Sequence, residues 1–404
     1  MTVLYITYDG LLDPLGSSQI LPYVKGISKH QDKVVIVSFE KVKQLLHGKD
    51  ALLLDLHNYS IEWKPLRFTK GLGFIGKSWD LSRMYMTAFI ISCKHNIKVV
   101  HTRGHPPAPV GLFIKHITKA KFIFDLRGLW LDERIDKGSW DLNRFSHRLQ
   151  YRFCKSIERK LLIQSDHVVV LTNKVVDEVM KLGAIKKSII TVIPCCADYD
   201  HFPLINETKK RDSRISLGIP NNAFVLGYLG SVGKMYMLDM FFQLFVMTTK
   251  IRTNCHTLLI TPDTDRLTQL MDRYLTHDLL ERVHIKSATR DQVPTLLPAI
   301  DIMVSFISPT YARMGASPTK MAESFASGIP VVANSGVGDV QEIVDQLDGG
   351  WIVDSLSKNR LMETIENLDI ISAKGGKRLR NISRPILGLD LAAKSYRSVY
   401  EKLV

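Results

Sequence analysis

Short apolar strands alternate with longer helical stretches in both halves of this chain, and that alternation constrains the fold more than any other feature. In the first half, Val3–Thr7, Lys33–Phe39, Val99–Thr102, Lys121–Phe124, His167–Leu171 and Ile189–Ile193 read as strands. Helical spacing lies between them at Gln19–Lys29, Lys77–His95, Pro109–Thr118, Asn143–Ile163 and Lys174–Leu182. The second half repeats the theme. Strands are expected at Phe224–Leu229, His256–Ile260, Val283–Lys286, Ile302–Phe306, Pro330–Ala333 and Gly350–Val353. Helices are expected at Met237–Thr248, Asp263–Leu275, Gln292–Leu297, Lys320–Ala326 and Val340–Asp345. Such alternation builds parallel sheets covered on both faces, so the expected class is α/β, with two Rossmann-like doubly wound domains facing a cleft. The expected boundaries are 1–198, a charged linker at 199–222, a second domain at 223–385, and a segment 386–404 whose helix, Leu391–Leu403, packs back on the first domain. In sheets of this kind ligands bind beyond the carboxyl ends of the strands, so the loops there hold the chemistry.

Composition narrows the setting. With 404 residues, 45% hydrophobic content and a mean hydropathy near zero, the chain can bury two cores. No apolar run approaches the roughly eighteen residues of a membrane span, Thr87–Cys93 being far too short. A strand begins at Val3 with no basic-then-apolar leader. The five cysteines show no metal-type spacing, and adjacent Cys195 and Cys196 read as small core residues. These features suggest a reduced, cytoplasmic setting.

The formal charge is +14 and unevenly spread. Between Lys64 and Lys121 the only acid is Asp80, and Trp63, Leu66, Phe68, Leu72, Phe74, Trp79 and Tyr85 are interleaved with the cations. A second basic stretch carries Arg144, Arg148, Arg152, Lys155, Arg159 and Lys160. With no nucleic-acid-binding motif in company, these stretches point to an anionic membrane surface, at the inner face of the cell membrane, rather than to nucleic acid. Oligomeric state is left open.

The segment from Gly315 to Asn334 carries the strongest site signal. Ser317 is placed to cap a helix, Pro318 suits its first turn, and Gly328 ends it before the apolar run Ile329–Ala333. Lys320 and Glu323 stand three apart on one side of that helix. A helix N-terminus with a lysine attracts an anion, and a glutamate beside it can accept hydrogen bonds from vicinal hydroxyls such as those of a ribose.

Other strand-end loops add candidates. Gly16 and Ser17 lie ahead of a helix where backbone amides can approach a diphosphate, although the loop is not a GxGxxG. Ser231 and Lys234 occupy the corresponding loop of the second half. His101, Arg103 and His105 follow one strand; Asp125, Arg127, Asp132, Glu133 and Arg134 follow the next. Charge gathered just beyond an apolar strand suits a ligand, because buried charge without partners is costly. Asp263-Thr264-Asp265 has the form of a metal-gripping carboxylate pair but sits where an aspartate caps the next helix, so no metal site is expected.

Taken in order, these segments resemble the family-four retaining glycosyltransferases of the two-Rossmann (GT-B) fold, of bacterial surface-polysaccharide type. The resemblance rests on Asp13-Pro-Leu-Gly-Ser-Ser-Gln19, Asp125-Leu-Arg-Gly128, Ser165-Asp-His-Val-Val-Val-Leu-Thr172, Val192-Ile-Pro194 with Ala197, Asp198 and Phe202, Gly227-Tyr-Leu-Gly-Ser231, and Ser317–Ala333. It implies a nucleotide-sugar donor, UDP- or GDP-linked, held mainly by the second domain, and a glycan or lipid-linked glycan acceptor held by the first. No cofactor or metal is implied, since the nucleotide sugar is a substrate. Glu323 matches the second glutamate of the family's E-x7-E motif, which binds the ribose. The base would lie against Ser287, Ala288 and Thr289. Ser317, Pro318, Thr319, Lys320, Ser231, Lys234, Gly16 and Ser17 would complete the donor site. His101, Arg103, Asp125 and Arg127 would stand nearest the reaction centre. Retention is explained in this family by front-face attack, with the leaving phosphate helping to deprotonate the acceptor.

Two departures from the family pattern are visible. Gly315 stands where the first glutamate of the motif belongs, and Ser231 stands where an arginine is common. Two other readings remain open at this point: a sugar-nucleotide epimerase of the same fold, and a non-enzymatic polyanion- or membrane-binding protein on a degenerate transferase scaffold.

Overall fold

The computed structural model describes residues 1–28 and 33–404, and residue 74 by its backbone alone. Lys29, expected at the end of the first helix, lies outside the described residues. The chain divides into two compact units. The first comprises Met1–Pro194, Met314–Ala316 and Leu389–Val404; the second comprises Cys195–Arg313 and Ser317–Gly388.

The first unit is built on seven strands, β1 (Thr2–Thr7), β2 (Lys33–Glu40), β3 (Ile61–Arg67), β4 (Val99–Arg103), β5 (Lys121–Asp125), β6 (His167–Val170) and β7 (Ile190–Val192). They run parallel in the order β3-β2-β1-β4-β5-β6-β7. The second unit has six, β8 (Phe224–Leu229), β9 (Cys255–Ile260), β10 (Val283–Lys286), β11 (Ile302–Ser305), β12 (Val331–Asn334) and β13 (Gly350–Val353). These too are parallel, in the order β10-β9-β8-β11-β12-β13. Both orders reverse direction beside the first strand, which makes each unit doubly wound, as expected. The central strands are almost wholly buried, which is why their sequences are near-continuous Val, Ile, Leu and Phe.

Several elements differ from expectation, among them the helices Trp130–Asp136, Lys358–Glu366, Leu368–Ala373 and Lys377–Leu387, which the sequence reading does not include. Strand β3 was not foreseen: Ile61-Glu-Trp-Lys-Pro-Leu-Arg67 is charged and contains Pro65, tolerable because β3 is an edge strand. Helix Val42–His57 was also unforeseen, because it buries only Leu52 and Leu56 and so lacks a broad apolar face. The segment 199–222, expected as a linker, folds within the second unit. It contains helix Glu207–Leu217, capped by Asn206, whose side chain accepts from the Lys209 amide at 2.9 Å.

In the first unit, helix Leu389–Leu403 packs on helix Leu21–Ser28, and a Cβ at Gly26 would lie only 2.6 Å from that of Ala393. The C-terminal helix therefore belongs with the first sheet. It brings Tyr400 into contact with His101 of β4 and Tyr396 into contact with Asp125 at the end of β5.

Candidate functional site

In the second unit, helix Thr319–Ser327 follows Pro318, the residue at its N-cap. Ser317 does not cap this helix, contrary to expectation. Its hydroxyl accepts from the Cys195 amide at 3.0 Å instead, tying the helix entry to the start of the unit. Thr319 is the first helical residue, and Gly328 ends the helix in the left-handed region (φ 83°).

The next residue, Lys320, is buried, at 8% exposure, and its Nζ has no hydrogen-bond partner among the described residues. The ammonium sits over two rings, 4.5 Å from the centroid of Tyr228 and 4.4 Å from that of Tyr236. Aromatic faces attract a cation but do not replace hydrogen bonds. Burial accordingly pulls the Lys320 pKa down to about 7, with Glu323 opposing. The loop after β8 makes room for it. A Cβ at Gly230 would lie 3.3 Å from Lys320 Nζ, and Gly230 also holds a positive φ of 134°.

Glu323 lies on the same helix, buried enough that its pKa is raised to about 7, with Arg290 and then Lys320 opposing the shift. Arg290 Nη1 is 3.5 Å from Glu323 Oε1. Arg290 immediately follows Ser287, Ala288 and Thr289, so the loop after β10 is brought beside Glu323. Ser287 and Thr289 are exposed, and the Thr289 amide donates to Gln292 Oε1 at 2.9 Å. Ser231 and Lys234 are exposed in the loop after β8. Asp263 fixes that loop rather than capping its own helix, because its Oδ2 accepts from the Val232 amide at 2.8 Å.

In the first unit, Arg103 and Asp125 are neighbours across β4 and β5. His101 and Asp125 are fully enclosed. His101 Nδ1 is 2.6 Å from the Tyr400 hydroxyl, and its Nε2 is 3.4 Å from Asp125 Oδ2. Tyr396 donates to the same Asp125 oxygen at 2.9 Å. Burial works against the charge on Asp125, but Arg127 and His101 outweigh it and hold its carboxyl below the usual range. Burial lowers the His101 pKa, with Asp125 opposing, which favours the neutral ring.

Arg127 is held at φ 46°, a region non-glycine residues seldom occupy, 3.8 Å from Asp125 and 3.4 Å from the Tyr396 hydroxyl. Arg103 reaches Asp9 at 3.1 Å. Both arginines line a cavity of the first unit, whereas His101 and Asp125 stand behind it and hold Arg127 in place.

Gly16 lies inside the short helix Pro14–Gln19, and a Cβ there would collide with the Gly10 carbonyl. Ser17 donates to the Pro14 carbonyl at 3.1 Å. Glu40 pins the same loop, accepting from the amides of Leu11 at 2.7 Å and Leu12 at 3.2 Å.

Gly315, within the short segment that belongs to the first unit, packs backbone to backbone on Gly128; a Cβ would stand 3.1 Å from Gly128 Cα. The absent glutamate is thus accompanied by a contact that any side chain at 315 would disturb.

Sequence reasoning did not single out Arg290, Tyr228, Tyr236, Tyr396 or Glu40. Nor did it find Arg380, whose guanidinium donates to the carbonyls of Tyr199, Phe202 and Ala326 and steadies the helix that bears Lys320. The one available signal was Gly227-Tyr-Leu-Gly230, a strand end with an aromatic two residues before a glycine.

Residues 23–201 match the family profile described as Glycosyltransferase Family 4, and residues 223–368 match the profile described as Glycosyl transferases group 1. Among solved structures, Anabaena HepE in complex with UDP and glucose aligns over 99% of each chain, with a TM-score of 0.71 at 15% identity. A glycosyltransferase from Rickettsia africae ESF-5 aligns over 100% of this chain and 98% of its own, with a TM-score of 0.68 at 16% identity. Sucrose-phosphate synthase from Thermosynechococcus elongatus gives 0.68 at 15% identity, covering 100% of this chain and 99% of its own. At such identities the likeness is one of fold. Curated protein sequences give no significant match.

Proposed function

We propose, taking as premise a glycosyltransferase of the two-Rossmann GT-B fold, that this enzyme moves a sugar from a UDP- or GDP-linked donor to a lipid-linked or surface-glycan acceptor. The observation that carries the reading is Lys320 Nζ, a buried cation without a hydrogen-bond acceptor beside a helix N-terminus. A donor diphosphate supplies that acceptor. Glu323 then takes the ribose hydroxyls, and Ser287 to Thr289 lie against the base. HepE has been solved with UDP and with UDP-glucose, which suits such a donor.

The chemistry asked of the chain is charge stabilisation on the departing diphosphate, with Lys320 as its main cation and Lys234 at the exposed edge. No metal is required by this scheme. Attack from the face the diphosphate leaves gives retention. Arg103 and Arg127 face the acceptor, with Asp125 and His101 positioning Arg127. Both family profiles are those of transferases, which disfavours the epimerase reading.

Proton linkage tests the donor assignment. A nucleotide-sugar diphosphate keeps its two charges throughout the neutral range, so the titrating groups are those of the protein. Free Lys320, with a pKa of about 7, is largely neutral above pH 7, and binding to phosphate must restore its proton. Free Glu323, also near 7, is largely protonated below pH 7, and ribose binding must remove its proton. Affinity is therefore expected to peak near pH 7 and fall on either side. Calorimetry in buffers of different ionisation enthalpy should show proton uptake at pH 8 and release at pH 6. A flat profile with no proton exchange would remove both residues from the site.

The membrane reading rests on the outer faces of two helices of the first unit. Helix Phe145–Gln164 exposes Phe145, Leu149 and Phe153 among Arg144, Arg148 and Arg152, and helix Gly73–Lys94 exposes Ile75, Trp79 and Met86. No helix among the described residues is long and apolar enough to cross a membrane. Replacing Phe145 and Phe153 together by Asp should abolish sedimentation with phosphatidylglycerol vesicles and leave nucleotide binding intact. Unchanged sedimentation would refute the surface assignment.

A further inference from the structure

The first unit contains a cavity of about 620 Å³ walled by helix Gly73–Lys94, the turn at His105–Pro106 and helix Phe145–Gln164. Most of the wall is apolar, including Leu81, Met84, Leu131, Ile157 and Leu161. Its polar feature is built rather than incidental. His105 is buried, at 8% exposure, and its ring stacks on Trp130 with centroids 5.6 Å apart. His105 Nε2 is 2.7 Å from Glu158 Oε1. Glu158, 1% exposed, accepts from Lys155 at 2.8 Å through its other oxygen, and Lys155 also reaches Asp132 at 2.7 Å. Burial opposes the charge on Glu158, but His105 and Lys155 outweigh it and lower its pKa. An ionised carboxylate has no proton to give, so the proton in this bond belongs to Nε2. In the neutral ring, Nδ1 then offers a lone pair. That atom is buried and has no hydrogen-bond partner among the described residues.

We propose that this cavity holds the acceptor, that the acceptor is a sugar carried on an apolar lipid chain, and that His105 Nδ1 accepts a hydrogen bond from one of its sugar hydroxyls. The proposal rests on the transferase reading above and narrows its acceptor to an amphiphile. Apolar walls of this extent suit a hydrocarbon chain and not a free oligosaccharide or a nucleotide, whose many polar atoms would lose water without replacement. Lys77, Arg103, Arg127 and Arg134 line the same space alongside the acids Asp9, Glu133 and Glu158, and Arg103 is paired with Asp9; the remaining cations suit a phosphate joining lipid to sugar. The two helices that wall the cavity are those whose outer faces carry Trp79, Phe145 and Phe153, so a lipid drawn from the membrane surface has a short path to it. Glu158, fixed by Lys155, orients the imidazole so that Nδ1 rather than Nε2 meets the hydroxyl.

Cys154 lines the cavity and is half-buried, while Cys93 is exposed and the other three cysteines are buried. In a Cys93→Ser background, the rate of Cys154 alkylation by N-ethylmaleimide reports occupancy. Decyl maltoside below its micelle concentration is expected to slow that rate, and maltose is not. His105→Gln retains an amide that can donate to Glu158 but has no acceptor at the Nδ1 position. It is expected to raise the half-protecting concentration about 10-fold, as loss of one buried hydrogen bond implies. His105→Asn, which restores an acceptor oxygen there, should protect close to wild type, so a loss confined to His105→Gln is not a folding defect. Equal protection in wild type and His105→Gln overturns the proposal, as does a wild type left unprotected. Nucleotide-sugar titration of the same samples keeps the readings apart: a wild type that binds donor yet leaves Cys154 unprotected refutes the cavity assignment alone.

Discussion

Lys320→Met is expected to make the free protein more stable and its nucleotide-sugar binding about 100-fold weaker. The two effects share one cause. In the free protein an ammonium is buried between Tyr228 and Tyr236 with no hydrogen-bond acceptor, and its pKa falls to about 7. Near pH 7, replacing it with an uncharged chain of similar length removes a desolvation cost on the order of 2–4 kcal/mol, and the rings still pack on the methionine. Donor binding loses its charge-assisted contacts to phosphate, each worth about 1.5–3 kcal/mol. Thermal melting without ligand, followed by calorimetric titration of the same sample, checks both. A structural lysine would give the opposite pattern, with lower stability and unchanged affinity.

Asp125→Ala is expected to cost about 3–5 kcal/mol of stability, because it strands Arg127 beside a buried void and leaves His101 and Tyr396 short of their shared acceptor. For a unit of this size that corresponds to a fall of roughly 10 °C in Tm. The loss should fall mainly on the first unit, since Asp125, His101, Arg127, Tyr396 and Tyr400 all belong to it. Asp125→Asn keeps an acceptor for Tyr396 and should lose less. Should Asp125→Ala melt like wild type while transfer is lost, the aspartate would be a reacting group rather than a positioning one.

The division between what the sequence discloses and what it hides follows the range of the interactions. Of the thirteen strands among the described residues, twelve fall on short runs rich in apolar and β-branched residues that can be read locally; β3 cannot, because an edge strand tolerates Pro65 and charges. Lys320 and Glu323 are legible because they stand three positions apart on one helix. The partners that give them their properties were not. Tyr228 and Tyr236 reach Lys320 across some ninety residues, and Arg290 approaches Glu323 from another strand end. Ser317 has the residue type and position of an N-cap, yet the Cys195 amide, over a hundred residues away, takes its hydroxyl. Tyr396 and Tyr400 acquire meaning only when the C-terminal helix folds onto the first sheet. Gly315 reads in sequence as a missing glutamate; its contact with Gly128 shows what the glycine allows.

The most direct measurement is calorimetric titration at pH 7 of wild type and Lys320→Met with a panel of UDP-, GDP-, dTDP- and CMP-sugars. The expected result is one-to-one binding of a UDP- or GDP-sugar by wild type and about 100-fold weaker binding by the variant. Failure of the whole panel to bind wild type, or equal binding by both proteins, would contradict the assignment of this helix as the donor site.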